Sequence, residues 1–443
     1  METGKIIRKA SQWAAFLVLS GCMAAIPGIH YLCLKNDLHT GYIAQTIYGF
    51  ALAGAAVLAA TLFFRRKEIR FTRYEILFGL LLVFAALSVT FSGDPYQSVH
   101  GSSARCEGLF MLHSYYLFFY LARLVEDPRL RRGVVYVFLG VQTVHCLYGL
   151  NQQYHFIQGG FDYYFYAISG LAGNPNFMGT LTVMASALAL GLLIYSGKVR
   201  DKAIFLVLLG VFLATLLLTK TLSAVVGFWG MVLVGLGYLN RKRWKWFLAI
   251  LAGGAVLFGG LLLLTNGTGN NFLSSDLAEL AGQLPTLAAE GLTDPAIGSG
   301  RLYLWNNCFQ LFLRHPLTGV GIDNLQVPYY ENFGLLLGQY ADKCHNELLQ
   351  VLVTMGIGAF GCYLAFYGFL FRDLGKRLGK EKSVPPLEAA LLLCLTGYLI
   401  QGCFNISVID VAPYFWMLCG LMAEPLFGEG PGILEAQEKE KPV

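Results

Sequence analysis

Residues 177–195, FMGTLTVMASALALGLLIY, form an apolar stretch without a single charged side chain. A helix needs about 20 such residues to cross the hydrocarbon core of a bilayer. Similar stretches recur along the chain, at 13–34, 42–64, 74–91, 108–124, 134–150, 203–218, 224–238, 246–265, 348–371, 387–404 and 408–426. The sequence therefore predicts about twelve membrane spans.

The composition agrees with this interpretation. Hydrophobic residues make up 56% of the 443 residues and charged residues 13%, whereas a soluble domain has about 45–50% and about 25%. Only helices and closed barrels satisfy their backbone polar groups in lipid, and runs of this length lack the alternation of barrel strands. We predict an all-α fold, a polytopic membrane helical bundle.

Lysine and arginine set the orientation, because they collect in cytoplasmic loops. With the N-terminus inside, 26 of the 32 basic residues fall on the inner side. Both termini are then cytoplasmic. The net charge of +5 follows from this asymmetry, so it does not indicate a nucleic-acid partner.

Six basic residues lie on the outer side, against the orientation rule: Lys35, Arg105, Lys220, Arg301, Arg314 and Lys343. Three of them share one long outer loop, 266–344, which also holds His315. Structureless loops beyond about 15 residues are usually functional or disordered. Cations gathered in this way indicate an anionic ligand on the outer side of the membrane.

The long loop has an internal pattern of its own. Helical periodicity predicts helices at 276–289, 301–313 and near 325–332, which we expect to form a cap lying apolar side down on the outer membrane surface. We predict four regions along the chain. They are an N-terminal bundle (1–200), a central region containing the loop (203–371), a C-terminal hairpin (387–426) and a disordered cytoplasmic tail (427–443).

The strongest chemical constellation comprises Arg301, Arg314, Lys343, His345 and Asn346. Arginine binds phosphate through a planar fork, lysine adds a compact charge, and histidine accepts protons near neutral pH. Each residue also has an ordinary structural interpretation. Arginine at 301 reaches lipid headgroups, arginine at 314 suits a helix C-terminus, and asparagine at 346 caps the next span.

The cysteines give weaker information. Cys106, Cys308 and Cys344 are predicted to face outside, which leaves open a disulfide between two of them. No spacing of potential ligands predicts a metal site.

Several motifs together resemble the O-antigen ligase and polymerase superfamily. They are Arg105-Cys-Glu-Gly108, Gly173-Asn174-Pro175-Asn176, Arg301-Leu-Tyr-Leu-Trp305, His315-Pro316-Leu-Thr-Gly319-Val-Gly321 and His345-Asn346 followed by Gly356-Ile-Gly358. The resemblance is best over residues 203–371.

The resemblance implies a membrane glycosyltransferase of the bacterial cytoplasmic membrane. Such proteins move a glycan from an undecaprenyl-pyrophosphate carrier to an acceptor hydroxyl on a glycan or lipid-linked acceptor, at the outer face, without metal or other cofactor. His345 corresponds to the residue that activates the acceptor, and Arg301 to the residue that holds the pyrophosphate. Asp323 and Glu347 remain alternatives for the base.

Further residues complete the predicted site. Arg105, Lys220, Arg314 and Lys343 are expected to assist pyrophosphate binding, and the expected sugar contacts are Asn346, Gln339, Asn174 and Asn176. The chain departs from the family pattern at Leu222, where an arginine is expected, and Lys220 is the proposed substitute.

Two other functions share the outer cations, a flippase or other transporter of lipid-linked glycan and a non-catalytic assembly protein. A transporter needs ionisable residues within its spans, and few are present here. Whether the enzyme acts as polymerase or ligase stays open at this point.

Overall fold

The computed structural model describes residues 2–36, 41–157, 167–266, 272–290, 294–295, 297–380 and 384–427. In this part of the chain the protein is all-α, with isolated bridges in place of strands. Its helices are α1 (Glu2–Asn36), α2 (Gly41–Phe64), α3 (Arg73–Thr90), α4 (Pro95–His100), α5 (Leu109–Leu124), α6 (Pro128–Tyr154), α7 (Pro175–Tyr195), α8 (Val199–Leu218), α9 (Leu222–Gly230), α10 (Gly237–Leu239), α11 (Trp244–Asn266), α12 (Phe272–Glu290), α13 (Arg301–Arg314), α14 (Gln326–Phe333), α15 (Glu347–Lys380), α16 (Pro386–Gly402) and α17 (Ala412–Met422). The polar tail predicted from residue 428 onward lies outside the described residues.

Every predicted span coincides with helix, which confirms the polytopic all-α class. Nine helices among the described residues are long and apolar enough to cross a membrane, one of them formed by α9 and α10 joined through the π-helical turn Met231–Leu236. The remaining spans correspond to α5, α16 and α17, of 16, 17 and 11 residues. At about 1.5 Å per residue α17 is about 16 Å long. The predicted span 408–426 is therefore helical only in its middle.

The centre of the bundle is α7, in which residues 177–192 are all buried. It packs closely on α16, because Gly191 lets the backbones approach. A methyl group built at Gly191 would lie 2.4 Å from the Cα of Ala390. Small residues at such crossings allow the close packing on which helix association in membranes depends.

The helix α15 is broken at Gly356, where the backbone takes φ 79°. The segment after α13 fills the break. The amide of Val320 donates to the carbonyl of Val353 at 3.0 Å, and the amide of Gly321 donates to the carbonyl of Thr354 at 3.1 Å. In the other direction, the amide of Ile357 donates to the carbonyl of Pro316 at 2.9 Å. These bonds satisfy backbone groups that the kink frees.

The glycines of this segment are required by packing. A methyl group at Gly319 would lie 2.2 Å from the carbonyl carbon of Thr354, and one at Gly321 would lie 2.3 Å from Ser92 Oγ. Both residues also have positive φ, which side chains disfavour. The segment therefore fixes the end of α13 to α15 and so sets the position of the loop.

The three predicted loop helices are present as α12, α13 and α14. However, the prediction that the apolar side of the helix lies on the membrane surface is wrong for α13. Leu304, Cys308 and Leu311 are buried in a cluster with Tyr329 of α14 and Val353 of α15. One side of α13 therefore packs on protein, because the broken helix offers it an apolar surface, whereas Phe309 and Leu313 of the same helix stay exposed.

Candidate functional site

Arg301 begins α13 directly after three residues in the left-handed region, Gly298, Ser299 and Gly300. Its guanidinium donates from Nη1 to the carbonyl oxygen of Phe404 at 3.0 Å. Among the described residues, no carboxylate lies within ion-pair distance of it. Burial lowers the pKa of Arg301, yet a guanidinium stays charged in proteins. An uncompensated cation at a helix N-terminus favours an anion.

His345 lies beside this arginine, because α13 packs on the segment that carries it. The indole of Trp305, one turn after Arg301, donates to the carbonyl of Cys344 at 2.9 Å. His345 itself has φ 48°, and its Nδ1 is buried without a hydrogen-bond partner. This packing brings Arg301 close enough for its charge to act on His345.

The electrostatics of His345 follow from this position. Burial and then the charge of Arg301 lower its pKa to about 4, with a smaller contribution from Arg105 and an opposing one from Asp342. The imidazole is therefore neutral at pH 7. It has a free nitrogen to accept a proton, although such a low pKa makes it a weak base in the ground state.

Lys343 has a different environment. Its ammonium lies 2.9 Å from Glu107 Oε2 and 2.9 Å from Asp323 Oδ1, and only 5% of the residue is exposed. Asp323 also accepts from the amide of Ser102 at 2.7 Å. The charge of Lys343 is fully compensated, so its predicted contact with a diphosphate is not supported by the geometry.

The two carboxylates of this cluster differ in their titration. Burial raises the pKa of Glu107 to about 7, and Asp323 adds to the increase while Lys343 opposes it. Burial also disfavours the charged form of Asp323, but Lys343 and the hydrogen bonds from Ser102 outweigh it and lower the pKa. Asp323 is thus ionised and held, which leaves it little freedom to act as a base.

Arg105 takes part in a neighbouring ion pair. Its Nε lies 2.7 Å from Asp342 Oδ2, and both side chains are about one quarter exposed, at 26% and 29%. A partly exposed pair of this kind can open to share its cation with a ligand. Arg105 remains near the site, since its field also acts on His345.

One of the predicted cations, Arg314, lies apart from this centre. Arg314 ends α13, about 20 Å from Arg301 by helix rise. It is exposed, contacts Asn332 and lies over the ring of Phe333. Lys220, in the turn between α8 and α9, has φ 50° and forms no ion pair within the described chain. The structure does not bring Arg314 to the site, because its helix runs away from it.

The predicted sugar-binding amides mostly serve as helix caps. The Oδ1 atoms of Asn174 and Asn346 accept from the amides of Asn176 and Leu349, at 2.8 and 3.0 Å. Each of these two residues keeps its side-chain NH₂ group as a donor. Gln339 is exposed in a tight turn paired with Leu336.

One turn connects these amides with Arg301. Asn405 follows Phe404, the acceptor of the Arg301 hydrogen bond, and its Nδ2 donates to the carbonyl of Asn176 at 3.0 Å. The start of α7 and the start of α13 therefore meet at residues 404–405. Sequence analysis missed this turn, because nothing in its composition marks it as part of the site.

Sequence analysis also missed the acids that compensate the cations. Glu107 and Asp342 stand two residues and one residue from Arg105 and Lys343 in the sequence, but each acid pairs with the other of these two cations. Glu347 is a third buried acid, which accepts from the hydroxyl of Tyr363 at 2.5 Å. With Glu107, Asp323 and Lys343 it borders an internal cavity of about 110 Å³.

Two further predictions concern sulfur and metal. The Sγ atoms of Cys308 and Cys344 are 3.3 Å apart as buried free thiols, whereas Cys106 lies elsewhere. These two are therefore the outer pair able to form the disulfide that the sequence left open. In the described ranges, no group of three or more His, Cys, Asp or Glu side chains could hold a metal ion.

Comparison with known proteins adds one finding. Residues 204–364 match the family model described as O-antigen ligase. The match runs from α8 into α15 and includes Lys220, Arg301 and His345, but not Arg105 or Asn174. No curated protein matches the chain.

Proposed function

We propose that the chain is a bacterial membrane glycosyltransferase of the O-antigen ligase and polymerase superfamily, because residues 204–364 match the family model described as O-antigen ligase. The protein transfers a glycan from an undecaprenyl-pyrophosphate carrier to an acceptor hydroxyl, at the outer face of the cytoplasmic membrane. One observation carries this proposal: the carboxylate-free guanidinium of Arg301 lies beside the unpaired, neutral imidazole of His345.

Arg301 binds the diphosphate in this proposal. Its planar fork matches two phosphate oxygens, and the N-terminus of α13 adds a favourable partial charge. Arg105 supplies a second contact when its pair with Asp342 opens, and Lys220 supplies a third from the turn before α9. Lys343 holds Glu107 and Asp323 in place instead of binding the ligand.

His345 accepts the proton of the acceptor hydroxyl. The acceptor oxygen attacks the anomeric carbon, the bond from that carbon to the phosphate oxygen breaks, and its electron pair leaves with the undecaprenyl pyrophosphate. Cations around the leaving group stabilise its developing charge, and no metal is needed for that role. A single displacement of this kind inverts the anomeric configuration.

The low pKa of His345 is compatible with proton transfer in the transition state. With a pKa of about 4 it takes no proton from solvent at pH 7, so it is always available. The proton moves only as the attacking oxygen becomes acidic in the transition state. The amides of Asn174, Asn346 and Gln339 and the start of α7 at Asn176 border the region where we place the sugars.

The test is reconstitution of the purified protein in liposomes that contain a defined lipid-linked glycan. Transfer or lengthening of the glycan supports the proposal. A change in the sidedness of the lipid without new linkages indicates a transporter, and neither result indicates an assembly protein.

Variants at two histidines sharpen this test. We expect His345→Ala to reduce transfer by roughly 10²–10⁴-fold, the usual contribution of a general base. His315→Ala is the matched control, because His315 is exposed at the far end of α13. Full activity of His345→Ala would remove His345 from the mechanism.

A further inference from the structure

A second cavity lies at the opposite end of the same helices. The site above is at the starts of α5 and α15, whereas this cavity is lined by Arg123 near the end of α5 and Arg377 near the end of α15. Its volume is about 470 Å³. Its charged lining consists of Arg8, Arg70, Arg123, Arg131, Arg377 and Glu126, and we call it the basic cavity.

Ion pairs compensate only part of this charge. Arg8 contacts Glu126, Arg123 lies 2.5 Å from Glu75, and Arg131 lies 3.3 Å from Glu388. Of these three acids, only Glu126 is on the cavity wall.

Arg70 and Arg377 have no such partner. Within the described residues, neither guanidinium has a carboxylate within 4.0 Å. The cavity wall therefore has two guanidiniums without an ion pair in the described part of the chain, the exposed Arg70 and the partly buried Arg377, facing a space that a ligand can enter.

Contacts with the end of α17 give some of these arginines a structural role, but they do not satisfy all of the guanidinium N–H donors. The guanidiniums of Arg131 and Arg377 donate to the carbonyls of Leu421 and Met422, which end α17. Cations at a helix C-terminus are favourable. Yet the Nε of Arg377 is buried without any hydrogen-bond partner. A guanidinium has five N–H donors, and an unsatisfied buried donor is costly.

We propose that the basic cavity binds a phosphate group, with Arg70 and Arg377 as the principal contacts. Phosphate oxygens accept several charge-assisted hydrogen bonds from arginine, which would satisfy the free donors. Two sources offer this chemistry, the headgroup of an anionic phospholipid and a soluble phosphate compound. Basic pockets between helix ends bind phospholipid headgroups in other membrane proteins.

The experiment uses the purified full chain and two probes. Cardiolipin in phosphatidylcholine nanodiscs, counted by native mass spectrometry, tests the lipid source. Inorganic pyrophosphate, titrated by calorimetry against the protein in pure phosphatidylcholine nanodiscs, tests the soluble source. Four proteins are compared: wild type, Arg70→Gln, Arg377→Gln and Arg372→Gln.

Arg372→Gln is the matched control, because Arg372 is exposed on α15 and lies outside the cavity wall. It removes the same charge from the same end of the bundle. We expect Arg70→Gln and Arg377→Gln to weaken binding of one probe about tenfold or more, and the control to change it less than about twofold. Arg70 makes no helix-end contact, so its variant remains informative if Arg377→Gln does not fold.

The outcomes separate the two sources and the alternative. Loss of cardiolipin in the two cavity variants assigns a lipid headgroup, and the same pattern with pyrophosphate assigns a soluble phosphate. Equal binding by all four proteins would mean general surface attraction or, for pyrophosphate, binding at Arg301, and would overturn the proposal. If the wild-type protein binds neither probe, the proposal is overturned as well.

Discussion

Arg301 and Lys343 lie in one loop, and the sequence predicts the same role for both, but the structure gives them opposite environments. Among the described residues, the guanidinium of Arg301 donates to one backbone carbonyl, whereas Lys343 lies between two carboxylates. A cation placed against the orientation rule therefore has two physical explanations. It either awaits an anionic ligand or neutralises acids of its own chain. The difference can be tested, since loss of the first reduces activity and loss of the second reduces stability.

The largest expected effect is on stability, at Lys343. The variant Lys343→Met leaves Glu107 and Asp323 buried without their cation, and breaking such a pair typically costs about 3–5 kcal/mol. We expect a markedly lower midpoint of thermal unfolding for the purified protein in detergent. Lys220→Met is the control, because Lys220 forms no ion pair in the described chain.

A partial rescue would strengthen this assignment. The double variant Lys343→Met/Glu107→Gln removes one of the two orphaned charges, so it should be more stable than Lys343→Met alone. If Lys343→Met unfolds at the wild-type temperature but loses transfer activity, Lys343 is a ligand-binding residue after all.

The second effect is on activity, at Arg301. The variant Arg301→Gln should lower the rate of glycan transfer by roughly 10²–10³-fold, the usual loss when one donor to a developing anion is removed. Arg301→Lys keeps the charge but not the planar fork, so its transfer rate should lie between those of the wild type and Arg301→Gln. Transfer assays in liposomes measure both. Equal unfolding midpoints for the three proteins would separate this effect from the one at Lys343.

Sequence patterns predicted the fold well for a physical reason. Lipid provides no partners for the backbone, so long apolar runs have few alternatives to helix. The patterns also led to the choice of Arg301 and His345 as candidate site residues, because both belong to recognisable motifs. They did not find the partners of the cations, because Glu107 is 236 positions from Lys343 in the chain and only tertiary packing brings them together.

Other errors had signals that could have been used. The predicted helix over residues 301–313 already implied that Arg314, just after its end, lies about 20 Å from Arg301. The segment from His315 to Gly321 appeared to be a chemical motif. In the structure its glycines serve packing, since they fit against Thr354 and Ser92 at the break in α15.

The third prediction concerns pH and tests His345 as the base against Glu107, a buried acid whose pKa near neutrality makes it a further candidate. With a pKa of about 4, His345 is neutral throughout pH 6–8, so kcat/KM should change less than about twofold over this range. Glu107 has a pKa of about 7, and as the base it would make kcat/KM rise about tenfold from pH 6 to pH 8. The pH profile of transfer in liposomes decides between them, and Glu107→Gln should leave a flat profile flat.

The smallest expected effect is at Arg314, and it completes the comparison with Arg301. Both arginines belong to α13, but Arg314 is exposed at the other end of the helix and contacts Asn332 and Phe333 of α14. An exposed contact of this kind contributes at most about 1 kcal/mol. We therefore expect Arg314→Gln to transfer glycan within about twofold of the wild-type rate, measured in the same liposomes as Arg301→Gln. A loss as large as that of Arg301→Gln would mean that the diphosphate or its glycan extends along the whole of α13, and the site would have to be redrawn around the helix instead of its first turn.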